Sequence, residues 1–428
     1  MVQQSSDLDR QARPSWSPWR AVVGFGLVSL AADMVYEGAR SITGPLLASL
    51  GASAVLVGLV TGAGEAMALL LRLVSGTWAD RTGRYWTLTI AGYGLTAICV
   101  PALAVTPFLA SAGLVVACCL ILAERTGKAI RSPAKTALLA RAASGVGLGR
   151  GFAVHKALDQ LGAVAGPLLV AAVLAATGVI WPAMALLVVP GAAAIVLLVW
   201  IRHRTVDADV EVGEEAGETD APSTAVASSV TLVAMLTSGF AALPARFWWF
   251  ALSSGATTAG LVTFGVISYH LTRDQVVPVP VVPVVYAAAM GSAAVAALVT
   301  GWAYDRVKGR VLLALPLLVV AVPALAFAQS PYLAIVGVVL WGAATGVQDS
   351  TVKALVADLV PAARRATAYG AFAAVQGVTA IAGGLMAGAL YELSIPVLIA
   401  AVAATQVLAL GLLLVSLSTA RQRSRGSA

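Results

Sequence analysis

Ionisable side chains are scarce in apolar sequence, so those that occur there either do chemistry or neutralise one another. Asp33, Glu37 and Arg40 stand at i, i+4 and i+7 inside an apolar run, on one helix face. Glu65 and Asp159 stand in two further runs, and His155 and Lys156 precede Asp159 by one turn. A charge at the bilayer centre costs about 2.5–3.5 kcal/mol on an insertion scale, so each such residue needs a partner or a task. At a rise of about 1.5 Å per residue, Asp33, Glu65 and Asp159 fall near the midplane, while Arg72, Arg125 and Lys128 lie toward the inner side. Glu37 and Arg40 can pair along their helix, which leaves Asp33 with a like charge one turn away. A carboxyl so placed can take up and release a proton or bind a cationic solute. That role is expected of Asp33 and Glu65, with Glu37 beside them. The alternative is a network of interhelical ion pairs that holds the first half together. Asp159 can pair with Lys156 or His155.

The second half of the chain is less charged. Asp349 and Lys353, at i and i+4, should satisfy each other, and His270 reads as an interfacial residue. Trp248, Trp249, Phe264, Tyr269, Tyr286, Trp341 and Gln376 supply shape and packing. Cys99, Cys118 and Cys119 lie in apolar runs and argue for neither a disulfide nor a metal. There is no phosphate-binding loop for ATP, no H-E-x-x-H and no nucleophile elbow. No enzyme activity, cofactor or metal is expected.

The elements that must carry these residues follow from composition. Of 428 residues, 59% are hydrophobic and 11% charged, well below the quarter that soluble domains carry. No soluble core could bury that much apolar surface, so the expected solvent is lipid. The apolar runs predict an all-α polytopic membrane protein with twelve spans: 21–47, 54–75, 86–107, 109–130, 150–174, 178–201, 246–270, 279–302, 311–328, 331–352, 366–389 and 394–418. A polar tail over 1–20 precedes a six-helix bundle over 21–201. An acidic linker over 202–243, with an interfacial helix at 230–243, leads to a second bundle over 244–418 and a basic tail over 419–428. Gly44-Pro45, Gly166-Pro167 and the prolines 278, 280 and 283 are candidate helix breaks. Lys and Arg concentrate in loops on one side, Arg81, Arg84, Arg141, Arg202, Arg306, Arg310 and Arg365 among them. That bias places both termini in the cytoplasm. It also explains the net charge of +7 without nucleic acid as a partner.

Between the second and third spans stands Gly76-Thr77-Trp78-Ala79-Asp80-Arg81-Thr82-Gly83-Arg84. After the eighth stands Gly301-Trp302-Ala303-Tyr304-Asp305-Arg306-Val307-Lys308-Gly309-Arg310, with Lys308 inserted. The pattern G-x-x-x-D-R-x-G-R in this loop resembles the signature of the major facilitator superfamily. The resemblance covers the whole chain: twelve spans, two pseudo-symmetric halves, a central linker and a second motif copy. It implies a secondary transporter whose inner gate is latched when Asp80 meets the N-terminus of the eleventh span. Gly76 and Gly83 permit close approach and a tight turn, and Arg81 and Arg84 can pair with acids or lipid phosphate. Gly162 and Gly166-Pro167 in the fifth span also resemble part of the G-x-x-x-G-P motif of proton-coupled efflux members. Small-residue helix packing explains the same spacing. The fourth span has Ile121 where such members carry arginine, with Glu124 and Arg125 nearby.

The expectation is therefore alternating access driven by protons, exporting a small organic, cationic or amphipathic solute. Proton-coupled uptake of a metabolite and a non-transporting receptor with the same fold are the alternatives. The expected partners are a small-molecule substrate, protons and the bilayer of the cell membrane, with the chain acting as a monomer.

Overall fold

The computed structural model describes residues 16–205, 243–361 and 364–425. The expected interfacial helix falls outside them up to residue 242, as does the acidic part of the linker, and the side chain of Lys353 is likewise not described. Every regular element among the described residues is helical. The first half holds α1 (Pro18–Ser41), α2 (Thr43–Ser49), α3 (Ala54–Thr82), α4 (Tyr85–Ala102), α5 (Gly113–Ala143), α6 (Leu148–Thr177), α7 (Ile180–Leu186) and α8 (Val188–Thr205). The second holds α9 (Ala245–Gly260), α10 (Phe264–Arg273), α11 (Val281–Val307), α12 (Ala314–Ala326), α13 (Pro331–Leu359), α14 (Arg365–Leu393) and α15 (Ile395–Arg425). Eleven stretches are long and apolar enough to cross a membrane, and one of them, Val281–Ala326, is 46 residues long. It contains two helices, α11 and α12, so the chain makes the twelve expected crossings.

Helix ends follow local chemistry. Ser17 caps α1 ahead of Pro18, its side chain accepting from Arg20 N at 3.4 Å. Ser53 caps α3, accepting from Leu56 N at 3.2 Å. Gly83 ends α3 at φ 64°, a left-handed position open to glycine. In the second copy of the motif the positive φ falls on the inserted Lys308, at 53°. Gly309 is packed instead against leucine side-chain ends, a Cβ there falling 2.9 Å from Leu417 Cδ2. Gly76 and Gly301 are not forced by packing: a Cβ on Gly76 would make ordinary contact with Pro133, and one on Gly301 would meet open space.

The breaks differ from those expected. The first span breaks at Ile42 and resumes with Pro45 in the first turn of α2. Pro167 leaves α6 unbroken from Leu148 to Thr177. The sixth span breaks at Leu187. The seventh breaks at Leu261–Thr263, with no proline to announce it. There the unwound backbone is met by side chains: Trp341 Nε1 donates to Val262 O at 2.8 Å, and Thr263 Oγ1 lies 2.8 Å from Thr61 Oγ1. Such satisfaction is what permits irregular backbone at membrane depth.

The halves pack alike. The first span lies on the fifth and sixth, and the fourth on the second and third; the seventh lies on the eleventh and twelfth, and the tenth on the eighth and ninth. Between halves, α3 meets α14, α6 meets α11, and α2 meets α10. One face of the bundle carries both ends of the described chain; the opposite is the far side. A single apolar core joins the halves toward the far side, including Leu46, Val57, Phe264 and Leu271, and continues through the second half to Leu312 and Leu359 at its terminal side. Toward the terminal side the first half has its own core, including Phe25, Trp86 and Ile201. The far side is closed by backbone contact: a Cβ on Gly58 would sit 2.1 Å from Gly384 O, and one on Gly44 2.2 Å from Gly265 O. It is also clasped. Glu392, at the end of α14, accepts from Ala54 N at the start of α3 at 2.7 Å.

Candidate substrate and proton site

Four helices of the first half bring the charged residues together. Arg40 on α1 reaches Glu65 on α3, Nη2 to Oε1 at 2.8 Å, and the same oxygen lies 3.5 Å from Arg125 Nη1 on α5. Gly64 makes room for that arginine, since a Cβ there would come within 2.9 Å of Arg125 Cγ. Arg125 Nε is 3.6 Å from Glu124, which accepts from Thr96 Oγ1 at 3.3 Å, and Arg131 donates to the same threonine. The Tyr36 hydroxyl accepts from Arg40 at 3.3 Å and from Arg125. Its ring carries the Lys128 ammonium 3.6 Å above its centroid. Glu37 lies 3.9 Å from Arg40 and accepts from Tyr286 of the second half at 2.5 Å.

The partners of Glu65 come from two other helices, as the interhelical alternative has it, and spacing along one helix could not reveal which they are. Glu37 pairs only weakly with Arg40, its shorter bond being the one that crosses to the other half.

Asp33 and Asp159 form a second centre, on α1 and α6. Their carboxyls lie within hydrogen-bond reach of each other. Asp159 also accepts from Ser29 Oγ at 2.8 Å and from Lys156, and Lys135 Nζ lies 3.3 Å from Ser29 Oγ. Lys156 belongs to the same apolar stretch, yet its side chain is 66% exposed. His155 is buried and its Nε2 has no partner, so Lys156 and not His155 is the local counter-ion of Asp159.

Other expected residues do other things. Gly162 and Gly166 pack on the first span, where Cβ atoms would lie 2.2 Å from Leu30 O and 2.3 Å from Met34 O. Close helix approach therefore accounts for the fifth-span motif. Asp80 is exposed and accepts from Tyr85 Oη at 3.1 Å, while the N-terminus of α14 has no side-chain cap. The expected latch between them is not made here. Arg81, Arg84, Asp305 and Arg310 are exposed, and Arg306 lies 3.5 Å over the Trp302 ring. Phe264, Tyr286 and Trp341 are packed together, with Phe264 and Tyr286 centroids 4.4 Å apart. His270 is fully buried, not interfacial, with Nδ1 2.9 Å from Asp274. No cluster that could hold a metal ion exists among the described residues. Arg125, Lys128 and Tyr286 stand out in the sequence, but nothing in their spacing gives them a site role. As charges in an apolar run, Arg125 and Lys128 carry the same cost as the acids and are as conspicuous in the sequence.

With this geometry in view, comparison defines the class. The sequence matches the Major Facilitator Superfamily over residues 25–315 and 250–427. The chain belongs to that superfamily of transporters. It is 48% identical over 399 residues, 93% of each chain, to uncharacterized proteins Rv2265 of Mycobacterium tuberculosis and Mb2288 of Mycobacterium bovis. Its fold resembles a mutant form of the nucleoside transporter NupG with TM-score 0.73 and 14% identity, covering 92% of this chain and 99% of that one. It resembles a POT family transporter in complex with 5-aminolevulinic acid with TM-score 0.67 and 13% identity, covering 94% and 96%. A bacterial homolog of the lysosomal transporter Spinster, inward-facing and unoccupied, gives TM-score 0.61 at 15% identity, covering 95% and 96%.

Proposed function

We propose that the chain is a proton-coupled secondary transporter of a small organic solute, working by alternating access as a monomer in the cell membrane. The observation that carries the coupling is the Asp33–Asp159 pair. Two carboxyls that share a hydrogen bond hold a proton between them, because one must donate. The pair joins two spans near the midplane, where an ionisable group needs a task. Charged groups face it from every neighbouring helix: Glu37 on the first span, Lys128 and Lys135 on the fourth, His155 and Lys156 on the fifth, and Asp349 from the tenth near Lys156. When the proton leaves, Lys156 and Lys135 balance the added negative charge. When it returns, Lys156 is partly released.

The terminal side is assigned to the cytoplasm by its Arg81, Arg84, Arg306 and Arg310. On that assignment the backbone contacts that close the far side support reading this as an inward-facing state. A small organic solute suits the fold, since NupG is a nucleoside transporter and a POT family relative is in complex with 5-aminolevulinic acid. The carboxyl pair supports coupling and leaves direction open, because helix packing accounts for Gly162 and Gly166.

The test needs no substrate. Val57 is fully buried at the far-side contact, 3.3 Å from where a Cβ on Gly265 would stand. Maleimide labelling of Val57→Cys, in a background without the native cysteines, reports far-side opening. Between about pH 5.5 and 8.5 the labelling rate, divided by that of an exposed control cysteine to remove the thiol's own titration, should change severalfold, and Asp33→Asn or Asp159→Asn should abolish that residual change. Unaltered pH dependence in both variants would defeat the reading.

A further inference from the structure

We propose that the transported solute carries an anionic group and that Lys128 and Arg72 hold it. The inference rests on the transporter reading and sharpens it. The acids at the first centre are already engaged. Glu65 faces both Arg40 and Arg125, Glu124 faces Arg125 and Thr96, and Glu37 faces Tyr286 and Arg40.

Three further cations of this region have no carboxylate within 4 Å among the described residues; Arg131 donates to Thr96 and rests on the Tyr93 ring, which leaves two. Lys128, half-buried on α5, has no carboxylate within 4 Å among the described residues; its ammonium rests on the Tyr36 ring. Arg72, half-buried on α3, forms no ion pair among them, and its Nε is buried without a hydrogen-bond partner. Both lie within electrostatic reach of Glu65 and Tyr36, so they border one region. Asp349 of the tenth span acts on Arg72 from beyond ion-pair distance.

A guanidinium donor with no acceptor is costly at membrane depth, and an aromatic face only partly replaces a counter-ion. A carboxylate, phosphate or sulfonate entering this region would give each cation the acceptor it lacks, arginine offering a planar fork and lysine a point charge. This reverses the expectation of a cationic solute, which rested on counting acids without their interhelical partners.

The experiment is thermal unfolding of the full chain in detergent with three matched series. One is anionic (benzoate, phenyl phosphate, benzenesulfonate), one neutral (benzamide) and one cationic (benzylamine), each up to tens of millimolar. Members of the anionic series should stabilise the wild type. Their apparent affinity should fall at least tenfold in Lys128→Gln and in Arg72→Gln, and recover in Lys128→Arg. Carboxylate preferred over phosphate, or the reverse, identifies the head group. Stabilisation by the neutral or cationic series alone, by no anion at all, or by anions equally in wild type and both glutamine variants, would overturn the proposal. The readout involves no proton gradient and leaves Asp33 intact, so it fails or succeeds independently of the coupling.

Discussion

The charged interior divides into one centre whose acids are all engaged by cations or hydroxyls and one where the carboxyls of Asp33 and Asp159 lie together, and substitution should separate them. Glu65→Gln leaves Arg40 and Arg125 facing each other without their carboxylate. Glu65 is a third exposed, so the expected loss is about 1–3 kcal/mol, less than for a sealed pair. Asp33→Asn keeps a hydrogen-bonding partner for Asp159 and should unfold close to the wild type. Thermal denaturation of the two variants checks this, and equal destabilisation would mean that both carboxylates serve the scaffold. Sequence spacing found the acids because charge in an apolar run stands out whatever the fold. It could not find their partners. Glu65 meets Arg40 and Arg125 across 25 and 60 positions of chain, through helix contacts that no local pattern encodes.

At the scale of elements, the second and eleventh spans run antiparallel and each ends in an acid. Glu392 at the far end caps α3 in this structure, while Asp80 at the other end does not cap α14. A carboxylate at a helix N-terminus gains from both the hydrogen bond and the helix dipole. Removing the charge by Glu392→Gln should weaken far-side closure and raise labelling of Val57→Cys severalfold at constant pH. If labelling is unchanged, the clasp does not hold the gate. A motif marks Asp80 in the sequence, whereas Glu392 belongs to no motif and stands between two predicted spans, where a charge is ordinary. The break at Leu261–Thr263 was equally hidden. It depends on Trp341 and Thr61, which lie on other helices.

For the whole molecule, twelve spans and two halves were legible because lipid imposes a length on every crossing. The conformation was not legible, since both states of a transporter share one sequence. On the proposed assignment of the terminal side to the cytoplasm, the exposed Lys156 is reached from that side. A membrane-impermeant maleimide should therefore label Lys156→Cys rapidly in inside-out vesicles and slowly in right-side-out ones; the opposite preference would reverse the assigned topology or state. The far-side closure has one more consequence. Gly58, Gly62, Gly384 and Gly388 meet backbone to backbone across the halves, where added methyl groups would fall 2.1–2.5 Å from opposing carbonyls. Such residues have no rotamers to freeze, and their carbonyls lie within continuous helices. Parting or joining that contact therefore changes little side-chain entropy and strands few polar groups. The barrier to switching should come mainly from the charged interior, so the gate itself should move with a shallow temperature dependence.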